Sequence, residues 1–244
     1  MSKVAIVTGA SRGIGAAVAK RLAADGIRVV VNYSSRPAEA EQVVRDIVKA
    51  GGKAYAVLAD ISDPVAVEAL FDQAEMKYGG VDILINNAGV IQPGMVDLAD
   101  SDDALYQKIF AINTKGTFNT LRLAARHLRE CGRIVNFSTS VIGLALPGYS
   151  VYAASKAAVE CFTAILAREL RGRKICVNAI APGPTATRLF LDGKSAEQIE
   201  RLAKQPPLER LGTPEDIANT VAFLVGEEGG WVNGQVLRVN GGIV

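Results

Sequence analysis

The sequence predicts a single α/β domain, a doubly wound parallel seven-stranded sheet with helices on both faces. Three features of its 244 residues point there. Short β-branched runs alternate with longer amphipathic segments, the rhythm of βαβ units. Those runs are continuously apolar, as strands covered on both faces are. Glycine, at 24 residues, gathers at the ends of the runs and forms no repeat. No linker or low-complexity tract interrupts the chain, and its length suits one continuous core.

Val4–Val7 is the first strand, running into the turn Gly9–Gly15 and a helix to about Ala24. Val29–Val31 is the second. Pro37 suits the first turn of the next helix, because its φ is already helical, and Gly51 suits a left-handed helix end. Ala54–Leu58 is the third strand, and Asp63-Pro64 opens a helix to about Tyr78. Ile83–Ile85 is the fourth, followed by one long helical pattern from about Asp102 to Arg129. Ile134–Phe137 is the fifth, and Tyr152–Leu170 is a strong helix. Ile175–Ile180 and Val236–Val239 complete the strands, with helical segments near Ser195–Ala203 and Pro214–Leu224. Over Pro182–Pro207 proline, glycine and charge break the rhythm, as in a flap over a site, so a lid is expected near 184–207.

Composition excludes several classes. The 27 basic and 25 acidic residues leave a net charge of +2, without the basic surplus of a nucleic-acid or membrane-surface protein. Apolar content of 49% excludes disorder. No apolar run reaches the roughly 18 to 20 residues that span a bilayer, and the Met1–Val7 start is too short for a signal peptide. Cys131, Cys161 and Cys176 are widely spaced with no CxxC pair, and read as reduced thiols rather than metal ligands. A cytoplasmic protein without a metal is the expectation. The one histidine, His127, lies late in a helical stretch, so acid–base chemistry should use another group.

The first strand leads into Thr8-Gly9-Ala10-Ser11-Arg12-Gly13-Ile14-Gly15 and then a helix. Glycines let the backbone turn sharply and approach a pyrophosphate, whose charge is met by free N–H groups at the helix N-terminus. The end of the second strand, Val31-Asn32-Tyr33-Ser34-Ser35-Arg36, has no acid until Glu39. An NAD site places an acid there for the ribose hydroxyls. Arg36, Ser34 and Arg12 instead suit a 2′-phosphate, which guanidinium pairs and carboxylate repels. NADP(H) is therefore expected in preference to NAD(H).

Tyr152 and Lys156 stand at i and i+4, on one face of a helix. A phenol with a pKa near 10 is a poor proton shuttle at pH 7, and a neighbouring ammonium should lower that value. In chain order come TGxxxGxG, Asn86-Asn87-Ala88-Gly89, a hydroxyl-rich end of strand five, YxxxK and Pro182-Gly183. This ordered set closely resembles the short-chain dehydrogenase/reductase family, with its Rossmann fold, over essentially the whole chain. By that resemblance Tyr152 is the general acid for a carbonyl oxygen, and Lys156 holds the nicotinamide ribose. Asn113 matches the family's helix asparagine, which supports a water leading protons to the lysine. The implied cofactor set is Gly9, Ser11, Arg12, Gly13, Ile14 and Gly15, with Asn32, Tyr33, Ser34 and Arg36 after strand two. Asp60 and Ile61 match the pair near the adenine, and Asn87, Ala88 and Gly89 line the cofactor. Tyr152, Lys156, Pro182, Gly183, Thr185 and Thr187 complete the set.

The carbonyl-polarising hydroxyl has two candidates. Family spacing of three before a glycine selects Ser140, and thirteen before the tyrosine selects Thr139; Ser140 is the first choice. The lid, with Leu189, Phe190, Leu191, Ile199 and Leu202, suits a partly apolar ketone or secondary alcohol. The stretch Pro207–Ala218 is similar to the 3-oxoacyl-[acyl-carrier-protein] reductases, which dock an acidic carrier. Arg122, Arg126 and Arg129, with Arg171, Arg173 and Lys174, offer basic residues, but Glu130 stands where carrier-dependent members tend to have a base. An NADP(H)-dependent carbonyl reductase or alcohol dehydrogenase is thus the first reading. The acyl-carrier reductase is the alternative, and a non-catalytic NADP-sensing protein the second. The C-terminal Gly234–Gly242 resembles the family's last strand and tail, which implies a homotetramer.

Overall fold

The structure is a computed structural model that describes residues 2–244. Among these residues seven strands form one all-parallel sheet in the order β3-β2-β1-β4-β5-β6-β7. The strands are β1 (Val4–Val7), β2 (Arg28–Tyr33), β3 (Ala54–Leu58), β4 (Val81–Asn86), β5 (Leu128–Phe137), β6 (Cys176–Pro182) and β7 (Val236–Val239). Order reverses between β1 and β4, so a crevice opens at their carboxyl ends, where ligands of such sheets bind.

Helices cover both faces. On one lie α1 (Gly13–Ala24), α2 (Pro37–Lys49) and α10 (Pro214–Val225), where Val18, Leu22, Ile47, Ile217 and Val221 pack on Val7, Val31 and Ile85. On the other are α3 (Pro64–Tyr78), α5 (Thr117–His127) and α7 (Ser150–Glu169), where Leu70, Phe71, Leu121 and Leu166 pack on Ile6, Val30, Leu84 and Val177. Successive strand residues point to opposite faces, so each of β1, β2 and β4 feeds both layers through a continuous apolar run at its centre. By length and hydropathy α7 passes for a membrane span, but it lies on the sheet with Ser155, Lys156, Val159 and Thr163 buried beneath it.

The long helix expected from Asp102 to Arg129 is not one helix. It is α4 (Asp103–Phe110), a π-helical turn over Ala111–Gly116, and α5, which ends at His127. Leu128 is already extended and pairs with Val81. The interruption has a packing cause: a β-carbon on Gly116 would stand 2.6 Å from Ile61 Cδ1, and the amide of Asn113 is tied to the chain at Val90. The YxxxK helix starts two residues earlier than expected, at Ser150. Three further short elements follow β5 and β6: α6 (Val141–Leu144), α8 (Arg188–Leu191) and α9 (Ala196–Ala203).

Candidate active site

At the end of β1 the chain turns over Gly9 and Gly13, both in the left-handed region at φ +61° and +55°. A β-carbon at Gly15 would come within 2.5 Å of Gly9 O and Asn87 Nδ2. The turn can therefore close only on glycine. Asn87 Nδ2 donates to Thr8 O (2.9 Å) and Gly9 O (3.0 Å), and Ala88 N donates to Thr8 Oγ1 (3.0 Å). These bonds lock the loop after β4 to the turn after β1. The N-cap of α1 is Arg12, which makes no side-chain cap, and no acid stands in the first turn. Its N–H groups are left for an outside acceptor.

Asn32 was expected at the cofactor, but its side chain is spent within the chain. It is 1% exposed, accepts from Gly9 N and donates to Val57 O and Ala59 O (3.0 Å). Asn32 shapes the turn rather than reaching a ligand. Tyr33 is half-buried at the end of β2, and Ser11 is half-buried in the turn beside Ile14. Ser34, Arg36 and Arg12 are exposed at the rim. Asp60 is exposed and bonds Ser62 N and Oγ, while Ile61 turns inward against Gly116, so only Asp60 of that pair is open.

Past β6, Gly183 packs on Asn240, and Thr185 is 5% exposed with its hydroxyl on Gly183 O (2.9 Å). Pro182 O accepts from Ser140 N (3.0 Å). Thr187 caps α8 and faces the glycine turn, 3.7 Å from where a Gly13 side chain would begin. The crevice at the carboxyl ends of β1 and β4 is thus flanked by the uncapped end of α1 and by Thr187. The uncapped N–H groups and the exposed Arg12 and Arg36, the latter paired with Glu39 at 3.1 Å, fit a dinucleotide carrying a 2′-phosphate.

The reacting end of the groove is built by α7, the ends of β4 and β5, and the π turn. Lys156 is buried and donates Nζ to Phe137 O at 2.8 Å. Burial pushes its ammonium pKa down to about 8. A side chain on Gly89 would begin 3.2 Å from both Lys156 Nζ and Asn113 Oδ1, so the two polar groups flank this glycine. Asn113 holds Val90 through both backbone groups, at 2.8 and 2.9 Å, and donates to Ser155 Oγ (3.1 Å). Ser155 in turn donates to Tyr152 O (2.7 Å). The asparagine amide is therefore fully engaged as a brace between the loop after β4 and α7.

The Tyr152 phenol is raised above its usual pKa by burial, and a hydrogen bond with Thr139 offsets part of that rise. The downward shift expected from Lys156 is not what this arrangement produces. Of the two adjacent hydroxyls, Thr139 is the one that bears on the phenol's acidity. Ser140 donates Oγ to Ala181 O (3.0 Å) and accepts from Asn240 Nδ2 (2.9 Å). These bonds engage the Ser140 hydroxyl between β6 and the C-terminal tail, which favours Thr139 of the two candidates. Asn240 lies in the Gly234–Gly242 stretch that resembles the family's tail, and its part in fixing Ser140 emerges only from the fold.

His127 lies at the opposite end of the sheet, paired with Glu75 at 3.1 Å. At that end Arg129 binds Asp82 (3.3 Å), and Arg173 binds Glu130 (3.1 Å) and the carbonyls of Ala125 and Leu128.

Residues 9–244 match the family model described as enoyl-(acyl carrier protein) reductase. The chain is 47% identical over 250 residues to a short-chain type dehydrogenase/reductase of Picea abies, covering 99% of this chain and 92% of the relative. It is 43% identical over 254 residues to a chloroplastic NADPH-dependent aldehyde reductase-like protein of Arabidopsis thaliana, covering 99% and 94%. A crystal structure of a short chain dehydrogenase from Burkholderia cenocepacia in complex with NADP superimposes with a TM-score of 0.92 at 41% identity, covering 99% of this chain and 97% of that one.

Proposed function

The chain belongs to the short-chain dehydrogenase/reductase family and is an oxidoreductase; from that premise we propose that it is an NADP(H)-dependent carbonyl reductase interconverting a ketone and a secondary alcohol. One observation carries the reading. Tyr152 and Lys156 stand one turn apart on α7, with Lys156 Nζ held on Phe137 O beside Gly89 and Thr139 just past the end of β5.

The dinucleotide, when bound, supplies the hydride. Tyr152, kept protonated at neutral pH by burial, gives its proton to the carbonyl oxygen as that oxygen gains charge. The Thr139 hydroxyl, next to the phenol, is a second donor to the same oxygen. Lys156 is charged below about pH 8 and, held on Phe137 O beside Gly89, is the donor that would hold the nicotinamide ribose. Asn113 positions Gly89, Val90 and α7 relative to one another through its three bonds. Preference for NADP(H) over NAD(H) is assigned to Arg36, Ser34 and Arg12, exposed where β2 ends and α1 begins.

The acyl-carrier reading is favoured by the description of the matching family model. Against it, Arg129 and Arg173 are engaged within the chain and Glu130 neutralises one of them. A homotetramer fits the exposed Trp231, at 98%, and Phe223 and Val236 near the edge strand β7, and free Cys131, Cys161 and Cys176 suit a reducing compartment such as the cytoplasm.

The test is consumption of NADPH, then NADH, with a panel of ketones, aldehydes and one acetoacetyl thioester. The expected result is turnover of a simple carbonyl with NADPH favoured. Turnover of the thioester alone would move the assignment to the acyl-carrier branch, and absence of turnover across the panel would count against the proposal.

A further inference from the structure

At the rim beyond β2 two arginines share one carboxylate. Glu39, in the first turn of α2, accepts from Arg36 Nη1 at 3.1 Å, and Arg188 Nη1 stands 3.7 Å from the same oxygen. The other oxygen, Oε2, is buried without a hydrogen-bond partner. Arg188 is the first residue of α8, in the lid, and its neighbour Thr187 faces the glycine turn at Gly13. The Arg188 side chain therefore reaches from the lid, across the groove, to the same rim that Arg36 occupies. Nothing in the sequence spacing connects these residues.

The energetics of this cluster are unbalanced. Arg188 is 67% exposed and its contact is longer than a hydrogen bond, so the pair is weak. Glu39 serves two guanidinium groups through one oxygen while its second is desolvated and unpaired, which makes it a poor final partner. A phosphate monoester offers three acceptor oxygens and nearly twice the charge, with geometry that matches guanidinium. Where the two compete, the phosphate takes the arginines.

We propose that Arg188 is a cofactor-discriminating residue carried on the lid: Glu39 holds it at the rim, and the 2′-phosphate of NADP(H) takes it over together with Arg36, drawing the lid onto the groove. Lid closure and recognition of the phosphate are then one event, and NAD(H), which lacks the phosphate, closes the lid less. The proposal rests on the reading that Arg36 takes the 2′-phosphate.

Calorimetric titration of NADPH and NADH against the wild type, Arg188→Gln, Glu39→Gln and Arg36→Gln tests it. Hydrogen–deuterium exchange over 184–207 is followed on the same samples. Arg188→Gln should weaken NADPH about tenfold, the scale of one charge-assisted hydrogen bond, and NADH less than about twofold. Glu39→Gln, which releases both arginines, should tighten NADPH about two- to fivefold and leave NADH unchanged. In the wild type NADPH should slow exchange across the lid more than NADH does, and Arg188→Gln should erase that difference. Equal weakening of both cofactors by Arg188→Gln, or none, alongside a selective loss in Arg36→Gln, would overturn the role of Arg188 alone. Equal effects of Arg36→Gln on both cofactors would instead remove the reading beneath it, and the role of Arg188 with it.

Discussion

Thr139 and Ser140 are neighbouring hydroxyls with opposite employment, and the difference is measurable. Ser140 is tied to Ala181 O and Asn240. Thr139 bears on the acidity of the Tyr152 phenol. Thr139→Val should therefore lower turnover by about 10² to 10³, the cost of one lost donor to a developing oxyanion, with NADPH affinity unchanged. Ser140→Ala should leave turnover within a few-fold and instead lower stability by about 1 kcal/mol, the worth of a buried hydrogen bond. Steady-state kinetics and thermal unfolding on the two variants decide it, and the reverse pattern would return the role to Ser140. Sequence spacing could not separate these residues. One rule counts from a glycine and the other from the tyrosine, and in this chain the two counts fall on neighbouring residues. The partners Ala181 and Asn240 lie 41 and 100 positions away, beyond any local pattern. The same limit explains Asn32: its residue type and place suit a cofactor, but its bonds go to Gly9, Val57 and Ala59.

At the scale of elements, periodicity carries most of the fold. Seven strands were legible because burial on both faces demands unbroken apolar runs, and the core residues of β1 and β4 divide alternately between the two layers. The helix from Asp102 was misread as continuous because α and π turns share side-chain chemistry, and a π turn has no composition of its own. It is detectable only through what it positions: Asn113 on Val90 and Ser155, and Gly116 under Ile61. Buried polar residues were equally illegible. Asn86 donates to Asn136 Oδ1 (2.8 Å) and accepts from Thr120 (2.7 Å), and Asn136 donates to Thr163 (2.9 Å). This chain joins β4, β5, α5 and α7 behind the reacting groups, with each amide partnered, so it stiffens the platform that holds Lys156.

The whole molecule bears the cost of its buried lysine. The Lys156 pKa is about 8 in the folded chain and near 10.5 when unfolded, so the charged form is penalised in the native state. Below pH 8 both states are protonated and the full penalty applies. Between pH 8 and 10.5 the unfolded chain binds more protons, and stability from this group rises with pH until the penalty is gone. A shift of this size corresponds to about 3 kcal/mol. Lys156→Met should accordingly be inactive yet more stable than the wild type at pH 7, by up to about 3 kcal/mol, or several degrees in Tm. Thermal denaturation across pH 7 to 10.5 should show that advantage shrinking. A difference independent of pH would mean that the native chain does not pay for the charge.

In the proposed reaction Tyr152 delivers the proton while other residues bind the dinucleotide, and a single substitution separates the two roles. Tyr152→Phe removes a single oxygen from a side chain whose ring stays in place. NADPH affinity, read by calorimetry, and turnover of the best carbonyl of the panel are measured on the variant and the wild type together. Affinity should stay within about twofold and turnover should fall by about 10² or more, the scale of a lost general acid. Turnover close to wild type with intact NADPH binding would contradict it and take the tyrosine out of the chemistry.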